Sequence, residues 1–193
     1  MTQTNSSTAV PSGLTCGGTV TYNRTTGNET ISSGTYNNLS IGDGSAGRTQ
    51  TLGGAVTVTS DLTINATSTF SVSSSNYQVN IEGNWINNGA AFAANSGTVV
   101  FDGTSTQDIS GATATDFNSL TLSNSSGLTL SSDENINGTL TLTTGKVTLG
   151  TSNLVFGTAA APVAGILNAS NMVLASGSGQ VRKLMSSNGS FAF

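Results

Sequence analysis

The chain has 193 residues, of which only 7% are charged, with a formal net charge of −4 and no histidine. Thr (31), Ser (29), Gly (24) and Asn (20) make up more than half of it. That balance excludes a Ser-His-Asp hydrolase, and the five scattered basic residues (Arg24, Arg48, Lys146, Arg182, Lys183) exclude a phosphate-tracking nucleic-acid surface.

The 43 Leu, Ile, Val and Phe residues lie just above the level of about one-fifth below which chains read as disordered. Surface helix formers are scarce, while Thr and Val suit a pleated surface and Gly and Asn suit turns. The expectation is an all-β protein.

In chain order, residues 1–17 read as an N-terminal lead-in or cap. No signal peptide is visible after Met1, so we expect either a removed leader or an internal piece carrying an added Met. Cys16 is alone, which rules out an internal disulfide. From Gly18 the chain reads GTVTYNRTTGNETISSGTYNNLSI, and from Gly97 it reads GTVVFDGTSTQDISGATATDFNSLTL. Val20 and Tyr22 align with Val99 and Phe101, and Tyr36, Leu39 and Ile41 with Phe117, Leu120 and Leu122. Further on, VTVTSDLTIN at 56–65 aligns with LTLSSDENIN at 128–137, and residues 42–54 form an insertion in the first copy. About one and a half copies of a unit near 80 residues are present, starting near 18 and 97, within a repeat region spanning 18–178.

Inside the unit, apolar residues recur as i, i+2 pairs around a small polar residue. Leu39/Ile41, Val56/Val58, Leu62/Ile64, Phe70/Val72 and Val79/Ile81 come first; Leu120/Leu122, Leu128/Leu130, Leu140/Leu142, Val147/Leu149 and Leu154/Phe156 follow. Period two places both apolar side chains on one face of a short strand. Between the pairs lie turn signals such as Gly42-Asp43-Gly44, Asn137-Gly138 and Thr144-Gly145. The longest apolar stretch, Leu154 to Leu167, is broken by Gly157, Pro162 and Gly165 and is too short to span a bilayer, so no membrane insertion is expected. Residues 179–193 read as a C-terminal transition segment that stops in mid-strand.

Two architectures suit this string. One is a right-handed parallel β-helix (a β-solenoid) with strands of about three to five residues and rungs of roughly 20–25 residues. The other is a pair of tandem immunoglobulin-like β-sandwiches. Strands this short bury little between two sheets, and Trp85 has no counterpart in the second copy, which favours the solenoid.

The strings from Gly97 to Gly111, Phe117 to Leu122 and Asn137 to Gly145 resemble repeats of large exported, adhesin-like Bacteroidetes surface proteins. The stretch Val181 to Phe193 resembles the segment that follows those repeats. The resemblance implies a right-handed parallel β-helix, an extracellular or cell-surface location and neighbouring repeats of a longer chain. It brings no catalytic residues.

The candidate chemistry is sparse. Of the nine acids, Asp61, Asp102 and Asp133 fall at repeat or turn positions and read as Asx-type turns rather than paired catalytic carboxylates. Asp43-Gly44-Ser45 and Asp133-Glu134-Asn135-Ile136-Asn137 offer oxygen ligands but match no calcium loop, so neither a metal nor a cofactor is expected. Thr-x-Thr pairs, with Thr57, Thr59, Thr139 and Thr141 as weak surface-binding candidates, would project outward and resemble the ice-binding face of some solenoid antifreeze proteins. Thr is also the ordinary outward residue of a strand. Tyr22, Tyr36, Phe101 and Phe117 occupy matching positions, which favours core stacking, whereas Trp85 and Tyr77 are either core residues or surface contacts for glycan.

The functional expectation is a non-enzymatic stalk or adhesive segment of an exported bacterial surface protein. The alternatives are an ice-binding solenoid, a glycan-binding module and a filament subunit that stacks end to end.

Overall fold

The computed structural model describes residues 10–24, 26–44, 47–89 and 91–186. Within them the chain forms 22 short strands and no helix. It winds as a parallel β-solenoid of about seven turns, so the tandem-sandwich alternative falls.

The strands fall into eight levels. The first holds β1 (Leu14–Tyr22) and β2 (Glu29–Ile31), the second β3 (Gly34–Ile41) and β4 (Thr49–Leu52). The third holds β5 (Val56–Val58), β6 (Leu62–Ile64) and β7 (Thr69–Ser71); the fourth β8 (Val79–Ile81), β9 (Trp85–Asn87) and β10 (Ala91–Ala93). The fifth holds β11 (Thr98–Phe101), β12 (Gln107–Gly111) and β13 (Asp116–Phe117); the sixth β14 (Ser119–Ser123), β15 (Leu128–Leu130) and β16 (Glu134–Ile136). The seventh holds β17 (Leu140–Thr144), β18 (Val147–Thr148) and β19 (Leu154–Phe156); the eighth β20 (Ala164–Gly165), β21 (Val173–Leu174) and β22 (Val181–Lys183). Sixteen of the 22 are three to five residues long, as the sequence suggested, and β1 and β3 are longer because each turns a corner and serves two faces.

Three faces result. The first stacks β5, β8, β11, β14, β17 and β20 on the leading half of β3; the second stacks β6, β9, β12, β15, β18 and β21 on its trailing half. The third is split into β2–β4–β7–β10 and β13–β16–β19–β22. Strand pairing is parallel, and beyond the first level each strand except β13 lies on the equivalent strand of the level before it. Strand β1 already pairs with β3 from Leu14, inside the expected lead-in, and β22 extends the third face to Lys183, inside the expected transition segment.

All ten apolar pairs read from the sequence are buried. Parallel stacking aligns them into continuous inward columns, such as Val56–Val79–Val99–Leu120–Leu140 on the first face. Each buried Val or Leu removes about 1.5–3 kcal/mol of exposed apolar surface, but only because the next rung covers it. Turns are correspondingly tight. Gly145 has φ +96°, and a β-carbon there would collide with the carbonyl oxygen of Asn124 one level below.

The matched sequence copies do not superpose in space. Val20 lies on the second face, paired with Leu39, whereas its match Val99 lies on the first, paired with Val79. Tyr36 lies on the first face and its match Phe117 on the third. After the insertion at 42–54, which contains β4, the phase shifts again: Val56 is on the first face and its match Leu128 on the second. The repeating element is therefore one strand with its turn, not one rung.

Candidate functional site

The outward residues of the first face form a column through successive registers: Thr15, Thr35, Thr57, Asn80, Val100, Thr121 and Thr141. Neighbours in such a column are about 4.8 Å apart, and residues two apart along a strand about 6.6 Å. A parallel column runs through Thr98, Ser119 and, directly before Leu140, Thr139. Thr57, Thr139 and Thr141 thus lie half-buried on the outer side of one face. Thr59 sits at the corner beyond β5, where its hydroxyl donates to the Tyr36 carbonyl at 3.3 Å and accepts from Asn37 Nδ2 at 3.5 Å. Asn80 and Val100 interrupt the threonine run between Thr57 and Thr141.

Trp85 requires a correction. Its side chain is fully buried, so it offers no glycan contact. It occupies the inward column Leu39–Leu62–Trp85–Ile109 of the second face, where period two directs it into the core. Its ring packs against Phe92 at 4.9 Å and Phe117 at 5.2 Å between centroids, and Phe70 completes the cluster at 6.2 Å. Tyr77 is half-buried against the same core, and Tyr22, Tyr36, Phe101 and Phe117 are core residues as their repeat positions suggested. A polar furrow of about 340 Å³ lies beside the second face, lined by Thr106, Ser126, Thr129, Lys146 and Thr148.

Asp61 and Asp133 accept from the next rung rather than from their own turns. Asp61 N–H donates to Asn38 Oδ1, Asn84 N–H and Nδ2 donate to Asp61 Oδ1, and Asp108 N–H donates to Asn84 Oδ1, at 2.9–3.1 Å. Thr129 and Ser131 hydroxyls continue this ladder onto Asp108 Oδ1 at 2.9 and 2.8 Å. A second ladder runs before the third face. Asn153 donates through its N–H and Nδ2 to the Asp133 carboxylate at 2.7 and 2.9 Å, and Gln180 N–H donates to Asn153 Oδ1 at 3.2 Å. The bonds from Asn153 hold the Asp133 carboxyl below the ordinary carboxylate range. At the corner of the first face, burial first and the neighbouring Glu82 charge second push Asp102 up.

Glu134 is the residue that sequence reading misplaced. It was grouped with Asp133 as a turn oxygen, but it is fully buried. Thr115 N–H donates to Oε2 and the Ser132 hydroxyl bonds to Oε1, each at 2.6 Å. Burial pushes its carboxyl up to about 8 against the opposing pull of those bonds. The signal was available: in the aligned copies Asp133-Glu134-Asn135-Ile136 matches Asp61-Leu62-Thr63-Ile64, which puts Glu134 at an inward leucine position.

Among the described residues no group of three or more His, Cys, Asp or Glu is placed to hold a metal ion. Of the two calcium candidates, Ser45 of Asp43-Gly44-Ser45 lies outside the described residues. No protein-family model, no curated protein and no solved structure matches the chain.

Proposed function

We propose that this chain is a non-enzymatic structural segment, a stalk or adhesive repeat, of an exported bacterial surface protein. The observation that supports this most directly is the parallel stacking of the first and second faces through all eight levels around inward apolar columns, with mostly hydroxyl and amide side chains outside. Each level adds about 4.8 Å along the axis, so the seven steps between first and last strands span about 34 Å. What a stack of this kind supplies is stiffness and a repeating lateral surface. The Asx ladders fit that role, since they tie each level to the next at its corners.

Labelling of intact source cells with an antibody raised against the purified chain tests this reading. Surface label on unbroken cells is expected. Label that appears only after lysis overturns it.

One observation favours a second reading: Thr57, Thr139 and Thr141 share the outer side of one face with Thr98, Ser119 and Thr121. Such a surface suits ice. Thermal hysteresis that disappears on Thr141→Tyr would replace the stalk reading with that one, and the stalk reading expects no hysteresis.

A further inference from the structure

Two Asn-Gly pairs stand at corners of the solenoid, Asn88-Gly89 directly after β9 and Asn137-Gly138 directly after β16. A further pair, Asn188-Gly189, lies outside the described residues. The two corners begin alike: Asn88 N–H donates to the Ile64 carbonyl at 2.9 Å, and Asn137 N–H to the Phe117 carbonyl at 2.8 Å. At the glycine they part. Gly138 is half-buried, and its N–H donates to the Asn118 carbonyl at 2.7 Å. The Asn137 side chain lies against the next rung, where a β-carbon on Gly157 would collide with its Oδ1. Gly89 turns away from that pattern with φ +98° and is exposed. Neither its N–H nor the exposed Asn88 side chain has a hydrogen-bond partner among the described residues.

We propose that Asn88 is a self-modification site, at which the folded chain closes a succinimide with Gly89 and opens it to aspartate and isoaspartate, while Asn137 is shielded. The bond from the Gly89 nitrogen to Asn88 Cγ forms and the Cγ–Nδ2 bond breaks. The Gly89 amide proton leaves with the departing nitrogen as ammonia. Water then adds to the ring: attack at Cγ gives aspartate, and attack at the main-chain carbonyl gives isoaspartate. Closure requires an amide nitrogen that is not held elsewhere and a side chain able to turn onto it. Gly89 adds no β-carbon to obstruct the approach, and its positive φ keeps glycine at that position. At Gly138 the bond to Asn118 must break first. Either product places a carboxylate in the corner that feeds β10, and isoaspartate also lengthens the main chain there. Among the described residues β10 pairs with β7 alone, and it seats Phe92 against Trp85. The change therefore falls beside the break in the third face. This inference does not rest on the stalk reading.

Peptide mapping of the folded natural chain after incubation at mildly alkaline pH, with detection of isoaspartate, tests this. Product at Asn88 should accumulate about tenfold faster than at Asn137, or more, because the held corner must open before attack. In urea, where both corners are lost, the two sites should react at similar rates. Equal rates in the folded chain, or no product at Asn88, overturn the proposal. So does the same difference in urea, which would assign it to the neighbouring sequence rather than to the fold. Asn88→Gln should abolish the product of that peptide. Product that persists in this variant comes from Asn87 and overturns the assignment. The mapping of the natural chain decides the matter even where the variant fails to fold. None of these readouts depends on where the protein resides, so cell-surface labelling can fail separately.

Discussion

The indole Nε1–H of Trp85 donates to the hydroxyl of Thr115, 30 residues away, at 3.1 Å. Asn87 Nδ2 donates to the same oxygen at 3.3 Å, and Thr115 N–H donates to Glu134. This buried chain of polar contacts lies where the third face breaks between β10 and β13, and the Phe92 and Phe117 rings pack across the break at 5.9 Å. The strand ladder is missing there, and side chains take over its role.

Thr115→Val should therefore destabilise the fold by about 1–3 kcal/mol, because it leaves the buried Trp85 Nε1–H without its acceptor and removes a bond from Asn87 Nδ2 while barely changing volume. Urea unfolding followed by Trp85 fluorescence measures this directly, since Trp85 is the single tryptophan. A change below about 0.5 kcal/mol would show that the cluster does not hold the break together.

Stability should fall as pH rises from about 4.5, the ordinary value for Glu134, to its folded value of about 8. Across that window the folded chain keeps a proton that the unfolded chain releases, so each step up in pH favours unfolding, by about 5 kcal/mol in all. Above the window and just below it the Glu134 contribution is flat. Glu134→Gln copies the protonated acid, with its carbonyl accepting from Thr115 N–H and its amide facing Ser132. It should flatten the slope and stabilise the chain at pH 8–9. At the acid end Asp133 acts in the opposite sense: its contribution is present above 3.8 and is lost as pH falls through its lowered folded value. Denaturation midpoints between pH 3 and 9 test both limbs.

Asp61→Ala should cost about 1–2 kcal/mol, because Asn84 loses the acceptor of both its N–H and its Nδ2 bonds. Asp61→Asn keeps a carbonyl oxygen at that corner and should stay within about 0.5 kcal/mol of the parent. Equal losses in the two variants would mean that charge, not the rung-to-rung bond, is what matters there.

Gln50→Leu should stabilise the chain by about 1 kcal/mol. Gln50 is buried in the inward column between Glu29 and Phe70, and its Oε1 has no hydrogen-bond partner. Thermal unfolding of the two chains checks this, and a lower midpoint for Gln50→Leu would show that the amide is satisfied after all.

How far the sequence could be read depends on the range of the forces involved. Alternation of side chains across a strand is local, so Val56/Val58 and Leu154/Phe156 could be placed inside from their spacing alone. The outward positions of Thr57 and Thr141 followed from the same rule. Trp85 and Glu134 were harder because their roles depend on residues of other rungs. Each sits at an inward position whose meaning is set by Thr115, Phe92 or Ser132.

The sequence alone determined that this chain is all-β with short strands, favoured a solenoid over tandem sandwiches, and placed the paired apolar side chains inward. It could not determine which face each strand joins. Every face obeys the same two-residue alternation, so Val20 and Val99 look equivalent although one packs beneath Leu39 and the other on Val79. Face assignment accumulates from the length of every preceding turn, and a single added strand such as β4 shifts all that follows by one face. Only the closed cross-section, where each apolar residue must meet the rungs above and below it, sets that phase.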